Sequence, residues 1–207
     1  MQGGLESLYR VSTELDVRDF LLAEEARNDF APARTPNEQL LLRESEGELS
    51  VGLYLDGEAL SRLDHQDPRD CLDDENLPDF MLALEGVSHF VYLACRARDD
   101  RGVSAVELEL QAEVDKWAVT LLVQWDQRGE APVDLRARLF RDVRYLPDLS
   151  CEERSRYLLA NEAANDYTAA LESRYVRHGA VDDLRVELRR FYQQGLYGKL
   201  DRIGRAA

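Results

Sequence analysis

Two apolar stripes at helical spacing, set on either side of a short polar break, constrain this chain more than any other feature. Leu77, Phe80, Met81, Leu84, Val87, Val91 and Cys95 recur three and four residues apart, the repeat that places side chains on one face of an α-helix. Asn76, Pro78 and Asp79 suit the first turn of that helix, and Asp99-Asp100-Arg101-Gly102 breaks it. Ser104-x-x-Glu107 then reads as a capping box, with Val103 and Leu108 placed as a hydrophobic staple. The helix it opens carries Val106, Leu110, Val114, Trp117 and Leu121 inward. So short a connection folds the two into an antiparallel pair, with Trp117 buried near Leu84, Val91 and Leu110.

The flanks add more helix and one clear strand signal. Leu5 to Phe30 has the spacing of one or two N-terminal helices, and Ala31 to Asn37, with two prolines, reads as a linker or exposed loop. With Glu46-Gly47 as the central turn residues, Leu42 faces Val51 and Leu40 faces Leu53, which predicts a hairpin with one buried side. A lone hairpin needs a helical cover. Asp56 is placed to cap a short helix through Leu63, and Asp64 to Glu75 reads as a charged loop. Further helices are expected near Val133–Val143, after a second capping box at Ser150-x-x-Glu153, and over Val181–Tyr192, followed by a tail from Gly195 that is mobile at its end. Asn161 and Asn165, four residues apart, are expected to face solvent or a neighbouring helix. The predicted fold is mostly α: a multi-helix bundle with one β-hairpin packed on it, more than half helical. It is expected as a single helical domain over 1–207, with N-terminal helices in 1–30, the hairpin in 38–56 and the helical body in 76–193.

Composition narrows the setting. Only Lys116 and Lys199 are lysines among 26 basic residues, and Ile203 is the one isoleucine, which points to GC-rich codon usage and a bacterial source. Cys71, Cys95 and Cys151 are odd in number and far apart, so they suggest neither a disulfide framework nor a zinc site. The start of the chain has no basic and apolar leader, and no stretch is long and apolar enough to span a bilayer, so a cytoplasmic location without membrane contact is expected.

Most catalytic signatures are absent: there is no dinucleotide fingerprint, P-loop, nucleophile elbow, H-E-x-x-H or EF-hand loop. No motif calls for a cofactor. The exception is the central pair, where Glu85 and His89 on one helix and Glu109 and Glu113 on the next are each four residues apart and can converge. Oxygen and imidazole donors suit a divalent metal, manganese or iron, with zinc as the alternative. The pattern differs from the di-metal carboxylate bundles, which use E-x-x-H, absent from this sequence. The competing reading is a polar stripe in which Glu113 meets an arginine. Arg174 and His178 resemble the R-x(4 to 6)-H motif of the HEPN ribonucleases, although only three residues separate them here; the resemblance would imply a helical ribonuclease.

Charge is the remaining feature. From Asp56 to Asp79 nine acidic residues stand against Arg62 and Arg69, a net of −7, while six basic residues between Arg185 and Arg205 stand against Glu187 and Asp201, a net of +4. The overall charge of −15 disfavours nucleic acid as a partner. The acidic run, Asp70, Asp73, Asp74 and Glu75 above all, is expected to dock a protein with a basic surface. The sequence therefore reads first as a non-catalytic interaction subunit (adaptor, regulatory or neutralising partner) of a bacterial cytosolic complex. The second reading is a helical metal-binding protein or enzyme, and the third a HEPN-like ribonuclease.

Overall fold

A computed structural model describes residues 1–30, 36–45, 48–141, 143 and 149–206, and 67% of these are helical. In chain order the elements are α1 (Gln2–Tyr9), a 3-10 turn (Val17–Phe20), α2 (Glu24–Phe30), β1 (Glu38–Ser45), β2 (Glu48–Leu55), α3 (Gly57–His65), α4 (Leu77–Arg98) and α5 (Ala105–Arg128). They continue with α6 (Leu135–Phe140), α7 (Cys151–Arg174), a second 3-10 turn (Val176–His178), α8 (Val181–Tyr192) and α9 (Leu196–Ala206). The fold is mostly α with a two-stranded antiparallel hairpin packed on helices. No helix among the described residues is long and apolar enough to cross a membrane.

α4 and α5 form the expected antiparallel pair: Tyr92 bonds Glu107 near one end, and Gln124 reaches the carbonyl of Leu72, just before α4, at the other. α4 is enclosed on nearly every side, with Ala83, Phe90, Tyr92 and Leu93 buried as well as the predicted stripe. It is the central helix. Trp117 is fully buried in the same apolar cluster as Leu84, Val91 and Leu110. α7 packs along α5, where Ala160 and Ala164 bring the backbones close, and its capping box is complete: Ser150 accepts from the Glu153 amide and Glu153 from the Ser150 amide. Of the two asparagines on α7, Asn165 accepts from Arg136 of α6 at 2.8 Å, while Asn161 is buried.

The hairpin has the predicted register, with Leu40 opposite Leu53 and Leu42 opposite Val51, although Glu46-Gly47 themselves lie outside the described residues. Its burial departs from the one-sided expectation. At the base both faces are covered: Leu53 and Leu55 sink toward α4, while Leu41 and Tyr54 on the opposite face are buried as well. The N-terminal segment provides that second cover, through the Leu22 amide on the Leu53 carbonyl at 2.8 Å and the Arg27 guanidinium 4.0 Å above the Tyr54 ring. Toward the tip Leu42 and Leu49 are 48% and 51% exposed.

Three other expectations are corrected. The helix expected through Val143 stops at Phe140, and Pro147, the proline expected to end it, lies outside the described residues. The first capping box is half formed: Ser104 accepts from the Glu107 amide at 3.2 Å, but the Glu107 carboxylate is diverted to Tyr92 Oη at 2.6 Å and to the Leu196 amide at 3.1 Å. There it satisfies an orphan N–H at the positive end of α9, a better use of a buried carboxylate than its own helix offers. The tail from Gly195, for which the sequence predicts no helix, is α9. Its inward stripe is Leu196, Lys199, Leu200 and Ile203, so a lysine occupies an apolar position and hides the periodicity.

Lys199 belongs to a buried polar cluster joining α1, α4, α5 and α9. It donates to Gln111 and lies 4.2 Å from the Tyr92 ring centroid, and burial depresses its pKa well below that of an ordinary lysine. Asp115 beside it accepts from Tyr9, from Ser88 at 2.6 Å and from Gln111 at 2.7 Å. Burial raises the Asp115 pKa from 3.8 to about 6, against the pull of those bonds. A carboxyl whose folded pKa is raised favours the native state while protonated; this contribution is fully present below about pH 4 and is lost as pH rises through about 6. Asp115→Asn is therefore expected to flatten the stability profile between pH 4 and 7, where the parent loses on the order of 2 kcal/mol relative to the variant. Urea midpoints across that range check it. Parallel pH slopes for the two proteins would exclude Asp115 as the source.

Candidate metal centre

The antiparallel packing of α4 and α5 brings a second polar cluster together on the side that the hairpin covers. One donor atom each from Glu85, His89 and Glu109 lie within 4.8 Å of one another. Metal bonds near 2 Å hold two ligands no more than about 4 Å apart, so small side-chain rotations suffice to close the group on one ion. Glu113, the fourth predicted residue, is not in this grouping: its carboxylate accepts from Lys116 at 2.8 Å, and the same ammonium reaches Glu85 at 2.9 Å. The expected arginine beside Glu113 is thus Lys116.

His89 is the centre of the cluster and is only 7% exposed. Its Nδ1 faces Glu38 at 3.4 Å, and its Nε2 stands 3.5 Å from Glu109 with no hydrogen-bond partner among the described residues. One ring nitrogen held by a carboxylate and the other open toward a carboxylate group is how a metal-ligating imidazole is oriented. Glu38 comes from β1, on the strand face of Leu40 and Leu42 and opposite Leu55. Gly86 makes that approach feasible. A Cβ there would come within 2.8 Å of Leu55 and 3.0 Å of Glu38, so a side chain on this turn of α4 would push the strand away.

The electrostatics are those of a crowded, partly compensated site. Burial raises Glu38 and Glu113 above their ordinary pKa. Burial also works against the charge of Glu85, but Lys116 and His89 outweigh it and hold Glu85 low. The same contest raises His89, where the carboxylates of Glu109 and Glu38 overcome burial. Arg156 of α7 adds a cation 3.5 Å from Glu109, and its Nε is buried without a hydrogen-bond partner among the described residues. With the imidazolium that its raised pKa favours, Glu38, Glu85, Glu109 and Glu113 exceed His89, Lys116 and Arg156 by one negative charge, and by two once a metal displaces the ring proton. Either protons or one divalent cation can meet that excess. A cleft of about 310 Å³, lined by Glu38, His89, Glu109, Arg156 and Tyr157 among others, leads to the cluster.

The sequence reading missed Glu38, Lys116 and Arg156. Glu38 shares a face with Leu40 and Leu42, a carboxylate on an apolar strand face, and Lys116 is one of only two lysines; both were visible signals. Arg156 carried none. The other predicted residues lie elsewhere. In the acidic run, Asp70 and Asp74 are exposed, Asp74 pairs with Arg138 at 2.7 Å, Asp73 accepts from the Glu75 amide and Glu75 accepts from Gln66. Arg174 and His178 are both exposed, at the end of α7 and on the turn that follows.

No protein-family model, no curated protein and no solved structure matches the chain. Fold and site together define a helical bundle whose two-stranded hairpin closes over a buried carboxylate and histidine cluster.

Proposed function

We propose that this chain is a divalent-metal-binding helical protein, with Glu85, His89 and Glu109 as ligands and Glu38 orienting His89. One observation carries the reading: a buried imidazole nitrogen without a hydrogen-bond partner, within reach of two carboxylates. Lys116 and Arg156 neutralise part of the surrounding charge, and the cleft supplies a route of entry. Mostly oxygen donors with one imidazole favour Mn²⁺ or Fe²⁺, with Zn²⁺ as the alternative. Chelator-stripped protein, titrated with each ion and then desalted, should retain about one equivalent and melt at a higher temperature when loaded. Protein that neither retains an ion nor shifts its melting temperature would remove the proposal.

A second reading, a non-catalytic interaction subunit, draws on the exposed Leu42 and Leu49 at the hairpin tip and on the acidic run. In that reading Asp70, Asp73, Asp74 and Glu75 meet a basic surface on another protein of a bacterial cytosolic complex. Replacing the four by Asn and Gln should weaken association with such a partner and make it less sensitive to salt. The melting temperature should hardly change, because exposed ion pairs contribute only about 0 to 1 kcal/mol. Equal binding by the neutralised chain, at low and at physiological salt, would reduce the run to a solubility device.

A further inference from the structure

We propose that Arg10, Arg185 and Arg189 form a second ligand site, for the phosphoryl group of a small molecule, independent of the metal centre. The three arginines line a cleft of about 420 Å³ between the C-terminal end of α1 and one face of α8, together with Ser7, Leu8 and Asp182. In a chain of net charge −15, three guanidinium groups around one cavity are an exception that needs a cause.

Part of the cause is structural. Arg189 donates from Nε to the Leu8 carbonyl at 2.7 Å, which satisfies a backbone acceptor at the negative end of α1. That role accounts for one cation. Arg185 reaches Asp182 at 3.3 Å, and Asp182 also bears on Arg189. Arg10 has no side-chain partner among the described residues, and its backbone is left-handed, with φ of 55°. That conformation is the C-cap of α1, with the Arg10 amide closing onto the Glu6 and Ser7 carbonyls, and for a residue other than glycine it costs on the order of 1 kcal/mol. Desolvation, and after it the like charges of Arg10 and Arg185, lower the Arg189 pKa, so the three groups act on one another.

Against three positive charges stand one carboxylate and roughly half a charge at the α1 terminus, leaving an excess of about 1.5. A phosphomonoester carries about 1.5 to 2 negative charges at neutral pH, and planar guanidinium forks match its oxygens in pairs. A carboxylate would meet less of the excess. Inorganic phosphate and a small phosphate ester share this chemistry, and the volume accommodates either.

Calorimetric titration of the full chain at constant ionic strength, set with chloride, distinguishes the sources. Inorganic phosphate and glycerol phosphate are the probes; tighter binding of the ester assigns the site to esters, and equal binding assigns it to free phosphate. Arg10→Gly is the informative variant, because glycine relieves the left-handed strain while deleting the charge. It should melt no lower than the parent and bind phosphate about tenfold more weakly, as should Arg185→Gln. Arg205→Gln, removing an exposed arginine on α9, should bind like the parent. Phosphate heats no different from those of chloride, or unchanged affinity in both Arg10→Gly and Arg185→Gln, would overturn the site.

Discussion

His89→Gln and Glu109→Gln are each expected to abolish retention of the divalent ion, because each removes a donor from a group of three. Glu38→Gln should weaken binding about 10- to 100-fold while leaving a measurable site, since Glu38 acts through the orientation of the imidazole. Competition against a chelator of known affinity reads all three. Metal uptake separates this outcome from a purely structural ion-pair network, because the metal-free variants lose stability in either case. Taking His89 from between Glu38 and Glu109 leaves buried carboxylates uncompensated, a change that typically costs about 3 to 5 kcal/mol, whether or not metal is ever bound. Loss of stability with metal uptake unchanged would identify the cluster as a buried ion-pair network and end the metal reading.

Trp117→Ala should cost about 3 to 5 kcal/mol in urea unfolding, the range for emptying a fully packed aromatic site. Trp117 is fully buried on α5, inside the cluster that joins α4, α5 and α7. Its indole Nε1 has no hydrogen-bond partner among the described residues, so Trp117→Phe gives up volume but no polar contact and should cost less. An alanine variant with the parent's midpoint would contradict the burial on which the central pair rests.

What was legible in the sequence was decided by short-range physics. The hairpin register follows from a two-residue repeat and a two-residue turn, and it came out residue for residue. The Asp56 and Ser150 caps depend on hydrogen bonds spanning three residues, and both formed. The α4 and α5 stripes depend on the helical repeat alone. Two of the failures share one property: a polar residue whose partner lies far along the chain. Glu107 looked like half of a capping box until α9 offered it a backbone amide 89 residues away. Lys199 disguised α9 because its partner, Gln111, is 88 residues away.

The candidate centre divides along the same line. That Glu85 and His89 share a helix face, as do Glu109 and Glu113, is local geometry, and a short connection sets those faces together. Which carboxylates stay with the cluster was a tertiary decision. Lys116 claimed Glu113 and shares Glu85, β1 delivered Glu38, and α7 delivered Arg156. The two lysines show the limit most clearly. Their scarcity was plain in the composition and read as codon usage, yet one is fully buried and the other nearly so, each against acidic or aromatic groups. By itself the sequence determined most of the helices, the Asp56 and Ser150 caps and the strand register, because those depend on neighbours within a few residues. Only the tertiary structure decided which charges meet in the interior, because the energy of a buried charge is set by partners that the chain brings together from distant positions.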